Sequence, residues 1–176
     1  MANKTYGMFT RGLRDIKITN AAGTVQEDLN AAISFTFTPE LTNAELRGDD
    51  VVKVSISGLS KGTASLSAGG YSSAALAIMF GKTLTVAGTT PNETTTLDLN
   101  AGDVFPSFKL YGMAYGKDGD AVQILLGNCT VTGWGDMTFQ DEEFFTTSID
   151  LDVLADSDGR IARIIQQETA AALPSS

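Results

Sequence analysis

Apolar and polar residues alternate along most of this chain. In AAISFTFT (31–38), Ile33, Phe35 and Phe37 fall on one side and Ser34, Thr36 and Thr38 on the other. That period of two belongs to a half-buried strand, whose successive side chains point to opposite faces. The same alternation runs through DIKITN (15–20), VVKVSIS (51–57), TTLDLN (95–100), AVQILL (121–126) and TTSIDLDV (146–153). Clusters rich in Gly, Asn and Asp (NAAG, RGDD, AGG, NAGD, GKDGD, DSDG) punctuate these runs and supply turns. Short strands with one polar face predict a mainly β chain, its antiparallel sheets packed as a sandwich or barrel. One segment breaks the period. In SSAALAIMFG (72–81), Ala75, Leu76, Ile78 and Met79 have helical spacing, with Ser72 or Ser73 to cap the start and Gly81 to end it. So short a helix must pack against the sheets to persist.

Composition narrows the possible chemistry. The chain has no histidine, which removes the commonest general base and transition-metal ligand. A lone cysteine, Cys129, cannot form an internal disulfide and fits a reducing compartment. With no histidine partner it reads as a small buried apolar residue. No run is apolar enough to span a membrane, and MANKTYGMFTRG lacks the apolar stretch of a secretory signal. Charge is uneven: residues 1–117 hold ten acids and ten bases, whereas 118–159 hold ten acids and no Lys or Arg. With no basic stripe, the chain is not expected to bind nucleic acid.

Several local motifs dissolve on inspection. FGKT (80–83) resembles the end of a phosphate-binding loop, but the earlier glycine position is Leu76, and helix precedes strand. The RGD at 47–49 reads as a charged turn. ADSDGR (155–160) fails as a calcium loop in either register, because Ser157 or Ile161 stands where glycine is required. An Asp158-Gly159 hairpin turn, with residues 160–165 returning, fits the flanking alternation better. Asp141-Glu142-Glu143 would be the carboxylates of an enzyme reading, but a solvated loop explains three consecutive acids more simply. The ends, 1–14 and 166–176, look like arms flanking a single domain at 15–165.

The layout as a whole resembles the major tail tube proteins of long-tailed bacteriophages, whose fold is shared with contractile-tail and type VI secretion tubes. The resemblance rests on the GMFTRGLRDIKI-like opening, the AELRGDD turn after a polar-faced strand, and the mid-chain helix at 72–81. It continues in FPSFKLYGMAYGKDGDAVQILLGNCTVTGW, a hairpin with a cysteine on its return strand, and in FFTTSIDLDVLADSDGRIARIIQQET. It implies a two-sheet β-sandwich with a flanking helix, and hexameric rings stacked into a tube through which DNA leaves the capsid. It further implies no catalytic residue and no cofactor. The implied partners are further copies of the chain, a tape measure protein, and tail terminator and baseplate proteins. The chain would be made in the host cytoplasm and built into the virion tail, with no membrane partner. Residues 39–50 look short for a loop that the family often extends between rings, which places ring-to-ring contact on the terminal arms. These arms are expected to order on neighbouring copies during assembly.

Under that resemblance, a channel wall needs strands that are polar on one face and apolar on the other. Two segments qualify, and they nominate Ser34, Thr36, Thr38, Ser148, Asp150 and Asp152 as lumen-facing. The competing expectation is a monomeric β-sandwich module that binds a ligand such as carbohydrate, using Trp134, Tyr111 and Tyr115 as an aromatic platform.

Overall fold

The computed structural model describes residues 10–29, 31–48, 51–116, 119–137 and 146–173. Ten strands and one helix follow one another as β1 (Thr10–Asn20), β2 (Gln26–Asp28), β3 (Ala32–Gly48), β4 (Val51–Ala68), α1 (Ser73–Phe80), β5 (Thr85–Ala87), β6 (Thr94–Thr96), β7 (Phe108–Gly116), β8 (Ala121–Trp134), β9 (Thr147–Val153) and β10 (Ala162–Gln167). Every pairing is antiparallel. Eight strands form one sheet in the order β2-β1-β7-β8-β9-β4-β3, with β10 also on β8, while β5 and β6 form a small separate ribbon. The expected mainly β, barrel-like architecture with one short helix is therefore present. It is built from a single sheet that curls until β1 approaches β3.

The core lies inside this curl. Ile16, Ile18, Leu66, Leu110, Leu126, Ile149 and Leu151 are all essentially buried, each from an alternating strand position. Helix α1 closes one side of the curl. Ser72 Oγ accepts from the Ala75 N–H (3.1 Å), and Gly81, at φ 64°, ends the helix while Lys82 N–H donates to Ala77 O (2.8 Å). Ala75, Ala77, Ile78, Met79 and Phe80 are all buried, as expected of a helix that is apolar nearly all round. The Phe80 ring packs on Phe105 at 4.8 Å and on Trp134 at 4.9 Å.

Four expectations change. First, Ile33 does not face the core: a bulge between Ala32 and Ser34 leaves it without a cross-strand partner and 59% exposed. Second, residues 39–50 do not form a short loop. As far as Gly48 they continue β3, pairing with β4 in a long ribbon on which Leu41, Val54, Ile56 and Leu59 lie exposed. The alternation in VVKVSIS thus marks a protruding ribbon instead of core. Third, of residues 95–100 only 95 and 96 are strand, at the end of β6, and Leu99 points outward.

Fourth, the Asp-Gly turn does not reverse the chain into a hairpin. β9 pairs with β8 from Cys129 to Trp134, and β10 pairs with the same edge of β8 from Ala121 to Leu126. The two strands run in one direction, end to end, and residues 154–161 form an excursion opposite residues 127 and 128. The turn sequence supplies the tight loop, but both flanking strands take β8 as their partner.

The segments expected as arms are partly placed. Residues 10–14 lie in β1, where Leu13 pairs with Ala114, and residues 166 and 167 complete β10. Residues 170–173 lie on their own sheet: the Gln123 side-chain amide donates to Ala171 O (2.8 Å), and Leu173 is buried against Met113 and Ala121.

Candidate functional site

The two segments nominated from alternation, far apart in sequence, become neighbours. β4 sits between β3 and β9, and its own alternating residues carry the pattern across. Ser34 pairs with Ser67 and Ser67 with Ser148; Thr36 pairs with Ser65 and Ser65 with Asp150; Thr38 pairs with Thr63 and Thr63 with Asp152. β8 extends two of these rows, with Gly133 opposite Asp150 and Thr130 opposite Asp152. A fourth row closes one end, where Glu40 pairs with Lys61 and their side chains form an ion pair at 3.6 Å. All six nominated side chains therefore share one sheet face. Four are exposed, and Ser148 and Asp152 are half-buried.

The reverse face of the same strands is apolar. Phe35, Leu66, Ile149 and Trp134 form one cross-strand row, and Phe37, Ala64, Leu151 and Val131 form the next. Burying this face in the core fixes the register, since a slip of one residue would turn every Ser, Thr and Asp inward. The fit is close at Gly62, where an added Cβ would lie 2.5 Å from Phe37 Cε2.

Glycine also shapes the polar face. An added Cβ at Gly133 would stand 3.3 Å from Asp150 Oδ2, and one at Gly135 would stand 2.6 Å from Ser148 Oγ. Bare backbone here keeps the β8 side of the face low and leaves these side chains room. Thr132 donates its hydroxyl to Asp150 O (3.2 Å) at the adjoining bulge. The only charges within the four rows are Asp150, Asp152 and the Glu40–Lys61 pair. Chemically this is a hydrated surface of hydroxyls and carboxylates with a negative balance.

Among the described residues β3 is the last strand of the sheet, so one side of this face ends in an edge whose backbone groups meet no further described strand. Beyond the face, the β3–β4 ribbon projects. Its register shifts between Glu40 and Leu41, where Ser60 is the extra residue and donates its hydroxyl to Glu40 O (3.2 Å). β3 keeps its sides through the shift. Past the bulge, the side that carries Ser34, Thr36 and Thr38 continues as Thr42, Ala44 and Ile56, while Leu41 and Leu59 pair on the other side.

No family model and no curated protein matches this chain. Among solved structures, the chain is similar to one in the cryo-EM structure of the anti-feeding prophage (AFP) baseplate, 6-fold symmetrised. The likeness has a TM-score of 0.45 and 11% identity, and covers 94% of this chain and 97% of that one.

The remaining sequence candidates are dispersed. Trp134 packs into the core beside Phe80, whereas Tyr111 and Tyr115 pack around Met113 and Leu173 in a separate cluster. They do not form the platform of a carbohydrate module. Cys129 is fully buried, and burial pushes its thiol up to about 12. Lys82 of FGKT pairs with Asp103 at 2.6 Å, and hydrogen bonds from Lys82 and the Asn100 backbone hold that carboxyl below its ordinary value. Asp156 accepts from the Asp158 N–H (2.9 Å) and Arg160 N–H (2.8 Å) and pairs with the Arg160 guanidinium, so its carboxylate is engaged within its own loop. Asp49 of the RGD motif and Asp141, Glu142 and Glu143 lie outside the described residues. Among the described residues, no group of three or more His, Cys, Asp or Glu could hold a metal ion, and no helix is long and apolar enough to cross a membrane.

Proposed function

We propose that this chain is the structural subunit of a phage tail tube, assembling into hexameric rings whose stacking forms a channel for DNA. The observation that carries the reading is the continuous hydroxyl-and-carboxylate face across β3, β4, β9 and β8, backed by the two apolar rows that run through Leu66–Ile149 and Ala64–Leu151. Such a face offers phosphates hydration and like-charge repulsion, and its one cation, Lys61, is already paired with Glu40, so a duplex passing over it finds no unpaired cation to hold it. In this reading Ser34, Thr36, Thr38, Ser148, Asp150 and Asp152 line the lumen and act as a surface, with no catalytic role and no cofactor. The edge of β3 provides backbone groups for pairing with the next subunit, and the exposed ribbon residues Leu41, Ile56 and Leu59 provide apolar area for contact between rings. The N-terminal residues would order on a neighbouring copy. The tape measure, terminator and baseplate proteins would be its other partners in the virion.

Negative-stain microscopy of concentrated protein, paired with light scattering across a dilution series, tests the proposal. Rings or tubes that dissociate on dilution are expected. An 18.5 kDa monomer at every concentration would remove it.

A further inference from the structure

The excursion between β9 and β10 builds a second feature, on the outer face of the sheet. Residues 154–161 rise opposite Gly127 and Asn128, and with the outward side chains of β7 and β10 they enclose a polar cleft of about 500 Å³. Gly127 leaves the floor open: an added Cβ there would stand 3.0 Å from the Asp156 carboxylate. The rim is held in place by its own bonds. Asp156 takes two backbone N–H groups and, with Asp158, pairs with Arg160.

The cations are placed unusually. Among the described Lys and Arg side chains, Lys17, Lys61, Lys82 and Arg160 each have a carboxylate partner, and Arg14 lies over the Tyr115 ring at 5.5 Å. The two left without a carboxylate, Lys109 and Arg163, both line this cleft, on strands that flank β8 from opposite sides. Strands two positions apart lie about 10 Å from each other, so the two long side chains can converge over β8 on one small anion. From residue 118 onward the chain has only two bases, Arg160 and Arg163, against eleven acids, and both bases are here.

We infer that this cleft, through Lys109 and Arg163, binds a carboxylate presented by a second copy of the chain. Charge complementarity selects the occupant. A chain of net charge −9 offers many exposed acids to its neighbour, and the cleft, with three cations against two carboxylates, is a cationic receiving point for them. The same arithmetic makes it too weakly positive for a polyanion such as DNA. The inference rests on self-association as proposed above only in naming the occupant.

The probe for the cleft itself is acetyl-Asp-Glu-Glu-amide, titrated by NMR into dilute full-length protein, with acetyl-Asn-Gln-Gln-amide as the neutral control. Selective, salt-sensitive binding of the acidic peptide is expected, weakened about threefold by Lys109→Ala or Arg163→Ala and roughly tenfold by both. Lys109→Arg should keep the binding. No preference over the neutral peptide, or equal binding by the double alanine variant, would overturn the site. For the occupant, sedimentation should show that Lys109→Glu/Arg163→Glu associates at least about tenfold more weakly than wild type at low salt. Association equal to wild type would overturn the second copy as ligand. A wild-type chain that never associates would do the same and would also remove the tube proposal, while the peptide titration still decides the cleft.

Discussion

A cysteine introduced in place of Thr36 reports where the polar face lies in an assembly, because the native thiol is silent. Thr36 is exposed on β3 and pairs with Ser65, so Thr36→Cys should change stability by no more than about 0.5 kcal/mol. An exposed thiol has a pKa near 8.5, which makes about one in ten ionised at pH 7.5. With its pKa at about 12, Cys129 is ionised in roughly one molecule in 30,000. Ionisation alone therefore separates the two sites by about 3,000-fold in reactive thiolate, before full burial of Cys129 is counted. Maleimide reagents of two sizes then distinguish three surroundings. In the free subunit both a small maleimide and a bulky polyethylene glycol maleimide should label the introduced thiol. In tubes, a wall residue should take the small reagent through the bore and exclude the large one. Reaction with both at the free-subunit rate would place the face outside, and reaction with neither would place it in a subunit contact. Either result refutes the wall assignment.

Other outcomes follow from the same geometry. Converting Asp150 and Asp152 together to Lys changes the charge of a six-subunit ring by about 24 units (6 × 2 × 2); tubes should form, and DNA ejection should slow, most at low salt. Ejection at the normal rate from such particles counts against the channel role. Leu151, only 1% exposed at the centre of the apolar row, should cost about 2–5 kcal/mol as Leu151→Ala in urea denaturation of the monomer. Asp103 has a folded pKa below its unfolded value, so its contribution is present above that unfolded value and disappears as pH falls through the folded one. Asp103→Asn should therefore narrow its stability deficit against wild type in acid melts below about pH 4, and a constant gap down to about pH 2 would contradict the pairing with Lys82.

Much of the framework is legible in the residues. The runs at 15–20, 31–38, 121–126 and 146–153 all form strands, and Ser72 and Gly81 bound the helix as their side-chain and backbone chemistry requires. Alternation also nominated side chains that do share one face, since burial of Phe35, Phe37, Ile149 and Leu151 leaves their neighbours no other direction. What alternation lacks is the identity of the neighbouring strand. Asp158-Gly159 makes its turn whether the chain then pairs with β9 or carries on along β8, because the choice depends on contacts remote in sequence. Periodicity likewise cannot separate Val54 and Ile56 on a projecting ribbon from Leu66 in the core, as all three alternate with polar residues in one unbroken strand. The cleft around Gly127 escaped for a similar reason: Lys109 and Arg163 are far apart in sequence and meet only across β8.

Ser60 gives the long hairpin a consequence of its own. β4 takes up its one extra residue as a bulge while β3 runs straight past it, and the pair is water-loving on a given side along its base and oil-like on that same side along its tip. Deleting Ser60 would restore regular pairing with Leu59 still opposite Leu41 and Ile56 still opposite Ala44, since β3 passes the bulge uninterrupted and fixes which side each residue takes. A one-codon deletion here would thus alter the bend and twist of the hairpin, and so where its tip points, with the residues displayed on each side left as they were.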